Sequence, residues 1–177
     1  KPKKLSNGLR YIIVPTDSQT VSVSVLIKTG SAYESKKEHG IAHFLEHMMF
    51  KGTKQFPLGV FSKPIAAIGG QANAFTNNDY TAFFEKMDAS KLATSFELEA
   101  DRMNDLTLDS NEFSKEIKVI QEERRMRTDD NPQALAFERF LATAHLTDPY
   151  HHPVIGWMED LNTMRLADAK AWYDNFY

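Results

Sequence analysis

Two histidines stand four residues apart in His43-Phe44-Leu45-Glu46-His47, with a glutamate directly before the second. On an α-helix, positions i and i+4 differ by about 40° in direction, so both imidazoles leave one face, one turn apart. That spacing lets their nitrogens share one Zn²⁺ at about 2.0–2.1 Å. Glu46 flanks the same face and reaches a water at the metal without ligating it, in the H-x-x-E-H order. A hydrolytic zinc site also needs a third protein ligand and an open position. Cysteine is absent, so that ligand must be a carboxylate or another histidine. The run holding Glu112, Glu116, Glu122 and Glu123 offers the nearest candidates. Glu116 and Glu123 are seven residues apart and share a helix face with Ile120. Carboxylates in such apolar company are unfavourable unless paired or metal-bound. Glu122, Arg124 and Arg125 read as a solvated charged face. The bland reading of the histidine pair is helix packing or surface decoration, with no stoichiometric metal.

The other histidines carry less. His39 reads as a helix-start residue, while His145, His151 and His152 flank a proline-bearing loop and are expected to be structural or superficial, extra zinc ligands there being an alternative that nothing in the sequence motivates. The strand-like stretch Ala72-Asn73-Ala74-Phe75-Thr76 has small residues that let another backbone approach. At a sheet edge it can pair with an extended peptide, with Asn73 hydrogen-bonding that peptide's backbone. An ordinary strand beneath a helix is the alternative. Phe83, Phe84, Phe96, Phe137 and Phe140 are expected in the core. No phosphate-binding glycine motif occurs, and Gly69-Gly70 reads as a helix stop.

The elements that must position these groups follow from period and punctuation. Asn7-Gly8 between apolar runs predicts a hairpin joining Lys3–Leu5 to Leu9–Val14. Val21, Val23, Val25 and Ile27 alternate as a half-buried strand does. Ile41, Phe44, Leu45 and Met48 form a helical stripe that Gly52 stops. A helix over Phe61–Ile68, then strand, turn and strand through Lys86, come next. The remainder reads as helical. Asp88 caps a helix to Leu106, Asp109 with Glu112 opens one to Arg127, and Asn131-Pro132 opens one ending near His145. Two shorter helices cover 157–162 and 166–176. The order predicts an α+β fold, a mostly antiparallel sheet with helices packed on one face.

Composition agrees with a globular domain of ordinary size: 177 residues, 42% hydrophobic and 25% charged. Apolar runs of a few residues fall far short of the roughly 20 that a membrane helix needs. A net charge of −3 gives no electrostatic case for nucleic acid or an anionic membrane. No apolar signal-peptide region follows the basic Lys1-Pro2-Lys3-Lys4.

In combination the motifs match a known pattern. His43 through Thr53, HFLEHMMFKGT, resembles the signature of the pitrilysin (insulinase) family of zinc peptidases, the inverzincins. Asn73-Ala74-Phe75-Thr76 is similar to the family's N-A-x-T strand, and Glu116 with Glu123 to its glutamate pair. Gly30–Glu34, Asp148-Pro149-Tyr150 and Pro153–Gly156 also resemble family segments. The resemblance implies that His43, His47 and Glu123 ligate one zinc per chain, that Glu46 is the general base, and that Glu116 steadies a ligand. It implies that Asn73 and Ala74 hold the substrate backbone. The implied activity is endopeptidase cleavage of extended, unfolded peptides. A non-catalytic peptide-binding or assembly module of the same fold, with structural or absent zinc, is the other reading. Family members carry at least two related units that close around the peptide. Residues 1–177 would then be a single zinc-binding N-terminal domain, an incomplete unit truncated before its last strand. A homologous second half or partner subunit would close the cleft, and the piece alone would be weakly active or inactive. The wording Glu122-Glu123-Arg124-Arg125-Met126-Arg127 looks bacterial. Such relatives are often exported, which favours the periplasm or cell envelope over the cytoplasm.

Overall fold

The computed structural model describes residues 1–177. It begins with a short hairpin, β1 (Lys3–Lys4) against β2 (Arg10–Tyr11). Gly8 takes φ 95° in the turn, the left-handed geometry that Asn-Gly supplies. Pairing stops at Tyr11 rather than Val14, and Ile12, Ile13 and Val14 stay exposed because no neighbouring strand meets them.

The main sheet is antiparallel, in the order β3 (Thr20–Ile27), β5 (Thr81–Asp88), β4 (Gln71–Thr76). In β3 the side chains of Val21, Val23, Val25 and Ile27 turn inward and the alternate ones face solvent. On β5, Phe83 packs into the cluster around α1 (Ile41–Met48), and Met87 packs with Leu98 of α3 (Leu92–Asp105). Phe83 and Met87 are four residues apart on one strand and so share a face. Both helices therefore cover the same side of the sheet, the expected α+β layering.

Caps set the helix boundaries. α2 (Lys63–Ala67) is shorter than predicted and carries Pro64 in its first turn. Asp88 accepts from the Ser90 N–H at 2.9 Å and so caps a 3₁₀ turn over Ala89–Lys91, which delays α3 to Leu92. Asp109 accepts from the N–H groups of Asn111 and Glu112, starting α4 (Ser110–Arg124). This helix does not continue regularly to Arg127 but widens into a π turn over Arg125–Asp129. Asn131 caps α5 (Pro132–Ala144) in the same way. α6 (Met158–Thr163) and α7 (Leu166–Phe176) complete the chain, and α7 packs against α1 through Ala169 and Trp172.

The phenylalanine expectation needs correction. Phe83 is fully buried, but Phe96, Phe137 and Phe140 are more than half exposed, because nothing in this chain covers their helix faces. The polar interior is more specific. Arg102 is 1% exposed and grips Glu99 with two N–H groups, while its guanidinium carbon lies 4.3 Å from the Phe83 ring centroid. Glu85 is also buried, 3.5 Å from Arg102 Nη2 and 2.9 Å from Ser95 Oγ. Burial, with Glu99 close by, pushes the Glu85 carboxyl up to about 8, so it holds a proton at neutral pH and one cation suffices. Removing one partner of such a buried pair strands the other, at roughly 3–5 kcal/mol. Arg102→Ala is expected to lower the thermal unfolding midpoint by several degrees. An unchanged midpoint would mean that the network contributes nothing to stability.

Candidate metal centre

α1 is enclosed almost all round: Ile41, Ala42, Phe44, Leu45 and Met48 are buried, and Phe44 stacks near Phe113 of α4. The remaining face carries His43, Glu46 and His47 and looks onto α4, which supplies Glu116 and Glu123. Separations from Glu123 Oε2 are 3.9 Å to His43 Nε2 and 3.6 Å to His47 Nε2. Both exceed a normal hydrogen bond. The three donors all lie within 4.8 Å of one another. Zinc bonds of about 2.0–2.1 Å set donors about 3.4 Å apart at a tetrahedral centre. Two imidazoles and one carboxylate thus fit a single ion with a position left open, after small adjustments.

Neighbouring groups orient two of the three donors, His47 and Glu123, while buried His43 Nδ1 has no hydrogen-bond partner. His47 Nδ1 lies 2.8 Å from Glu116 Oε1, and Lys51 holds the other oxygen of Glu116. A proton on Nδ1 leaves the Nε2 lone pair facing Glu123. Burial alone would raise the Glu116 carboxyl, but the bonds from His47 and Lys51 outweigh it and hold it below its usual range. Arg127 Nη1, 2.9 Å away, anchors Glu123 Oε1. Burial, with His47 and Arg127 nearby, pushes His43 down to about 3. His43 is therefore neutral at physiological pH, the form that binds metal.

Glu46 is 9% exposed and accepts a 2.6 Å hydrogen bond from Thr76 Oγ1. Burial raises its pKa, although Thr76 and His47 pull the other way. The Thr76 contact joins α1 to the end of β4. That strand lies at the sheet edge, with no strand partner on its far side. Asn73 is exposed and its Oδ1 accepts from the Ala74 N–H at 2.9 Å, while Ala74 packs half-buried against the core.

Sequence reasoning missed the roles of Thr76 and Lys51. Thr76 shares the inner face of β4 with Ala72 and Ala74, and Lys51 follows His47 by one helical turn, so spacing carried both signals. Glu122 is exposed and pairs with Arg125 at 2.8 Å. Arg124, expected on that solvated face, is instead 4% exposed. It holds both Glu138 oxygens and the Gly156 carbonyl at 2.9 Å, because α5 folds back over it.

Residues 11–156 match the family model described as insulinase (peptidase family M16). The zinc protease PqqE of Helicobacter pylori is 41% identical over 175 residues, which are 98% of this chain and 39% of that protein. The crystal structure of a protease from Helicobacter pylori superposes with a TM-score of 0.96 at 40% identity, covering all of this chain and 43% of that one. The periplasmic protease PqqL from Escherichia coli superposes at 0.91 with 27% identity, covering all of this chain and 20% of that one. The chain spans about two fifths of the length of the curated relatives it matches. On the extent of the family match and these identities, the chain belongs to the insulinase family of peptidases, family M16.

Proposed function

We propose that residues 1–177 form the zinc-binding, catalytic portion of an endopeptidase acting on extended peptides. The convergence of His43, His47 and Glu123 beside a buried Glu46 carries this reading. His43, His47 and Glu123 would hold one ion at this site, and relatives named zinc proteases support zinc. Bound there, zinc supplies Lewis acidity to a peptide carbonyl and makes water acidic enough to deprotonate near neutral pH.

Glu46 takes the proton from the attacking water and hands it to the departing amine. Its raised pKa suits both halves of that task, since a base poised nearer neutrality is also a usable acid. Thr76 holds the Glu46 carboxyl by one oxygen. Glu116 keeps the His47 ring turned, with its charge balanced by Lys51. The free edge of β4 receives the substrate as an added strand, with Asn73 and Ala74 meeting its backbone. Pairing of this kind favours extended, unfolded peptides over folded proteins as the substrate class. The portion of the relatives that extends beyond this chain would close the cleft as a second half or partner subunit. Likeness to a protease described as periplasmic supports the periplasm or cell envelope. No helix is long and apolar enough to cross a membrane.

Glu46→Gln in the full-length protein is expected to retain zinc and lose about 10²–10⁴-fold in turnover of a fluorogenic peptide. Unchanged turnover would remove Glu46 from the mechanism. Glu123→Ala is expected to lose the ion at this site, whereas Glu122→Ala keeps it; equal zinc content by atomic emission would defeat the ligand assignment. The 177-residue piece alone is expected to cleave peptides weakly or not at all, and full-length rates from it would show that no second half is needed.

A further inference from the structure

Three histidines distant in sequence meet behind the start of α1. His39 stands one residue before its Gly40 cap, while His151 and His152 lie at the end of the 3₁₀ turn that follows α5. One nitrogen of each ring lies within 4.8 Å of one from both others. The His39 and His152 ring centroids are 4.1 Å apart, and those of His151 and His152 are 5.1 Å apart.

Each ring is already held by one nitrogen. His39 Nδ1 is 2.5 Å from Asp160 Oδ2, and His151 Nδ1 is 2.8 Å from the Asp148 carbonyl. His152 Nε2 is 2.7 Å from the Ser31 carbonyl and 3.3 Å from Glu34 Oε2. Carbonyls and carboxylates only accept, so these nitrogens carry the protons. The lone pairs are thereby left on His39 Nε2, His151 Nε2 and His152 Nδ1. Histidine ligands of metals are oriented in this way, by a carbonyl or carboxylate behind the ring. His152 is 3% exposed, and its Nδ1 is buried with no hydrogen-bond partner. Such a nitrogen is costly unless something fills its lone pair.

The backbone fixes the meeting point. Gly40 at φ 99° and Gly156 at φ 85° press main chain against main chain. A Cβ on Gly156 would strike the His39 carbonyl, and one on Gly40 the Ile155 carbonyl. Two carboxylates, Glu34 and Asp160, stand behind the rings and favour positive charge between them. A cavity of about 250 Å³ lined by Tyr150, His151, His152 and Glu138 lies against two of the three histidines.

We propose that His39, His151 and His152 form a second metal site, which takes a divalent transition ion through three neutral imidazoles. An all-imidazole set favours zinc, cobalt, nickel or copper over magnesium and calcium. The site is separate from the Glu123 centre and does not rest on it. The bound ion clamps the start of α1 to the loop after α5 and, through Asp160, to α6, one turn ahead of His43. The rival occupant is a proton on His152, but the buried Nδ1 that would carry it makes no hydrogen bond to either neighbouring imidazole.

The test uses metal-free full-length protein and cobalt(II) as probe, read by equilibrium dialysis and visible absorption. In a Glu123→Ala background, one cobalt per chain is expected to remain, with a nitrogen-dominated spectrum and a cobalt-dependent rise in melting temperature. Adding His151→Ala is expected to abolish the binding, the spectrum and the rise. His151 is half-buried and bonds only the Asp148 carbonyl, so the metal-free melting temperature should hold. His39→Ala is expected to give the same loss. Cobalt binding that both substitutions leave unchanged would overturn the proposal, as would a Glu123→Ala protein that binds no cobalt. If Glu123→Ala keeps two ions and His151→Ala removes one, the reading of Glu123 fails while this one stands.

Discussion

Burial of a helix that carries polar chemistry is the constraint on which the molecule turns. α1 is eight residues long and sits in the centre of the core, yet it bears two histidines and a glutamate. These groups have lost much of their water and draw partners from other elements, His43 Nδ1 excepted. Thr76 from the edge strand takes Glu46, and Glu116 and Glu123 from α4 take His47 and face His43. Glu34 accepts from the N–H groups of Gly40 and Ala42, closing the helix start. The packing of α4 and β4 around α1 is thus set as much by polar demand as by apolar area.

That demand links stability to chemistry. Burial neutralises His43 and raises Glu46, while a lysine and a histidine keep Glu116 charged. Two glutamates on one helix, seven residues apart, take different places: Glu116 is pinned behind a ring, and Glu123 Oε2 faces both imidazoles. The same economy recurs at Arg102, where one cation serves Glu99 while Glu85 holds a proton. At the other end of α1 a second histidine cluster repeats the pattern of rings held from behind.

Much of the fold was legible because local rules agreed with the global answer. Alternation marked β3, Asn and Asp caps marked α4 and α5, and Asn7-Gly8 marked the first turn. The misreadings share one cause. Arg124 looked solvated and Phe137 looked buried because helix periodicity shows which residues share a face but not what covers that face. α5 returns over Arg124 with Glu138, whereas no element of this chain returns over Phe137 and Phe140.

The sequence by itself determined the helix face of His43, Glu46 and His47, the shared face of Glu116 and Glu123, and the sheet–helix order, since all follow from spacing of 3.6 or 2 along one segment. Tertiary structure alone decided that Glu123 rather than Glu116 points at the two imidazoles, that Thr76 holds Glu46, and that His39 meets His151 and His152. Those outcomes depend on how separate elements pack. No period within a segment encodes the distance between two of them.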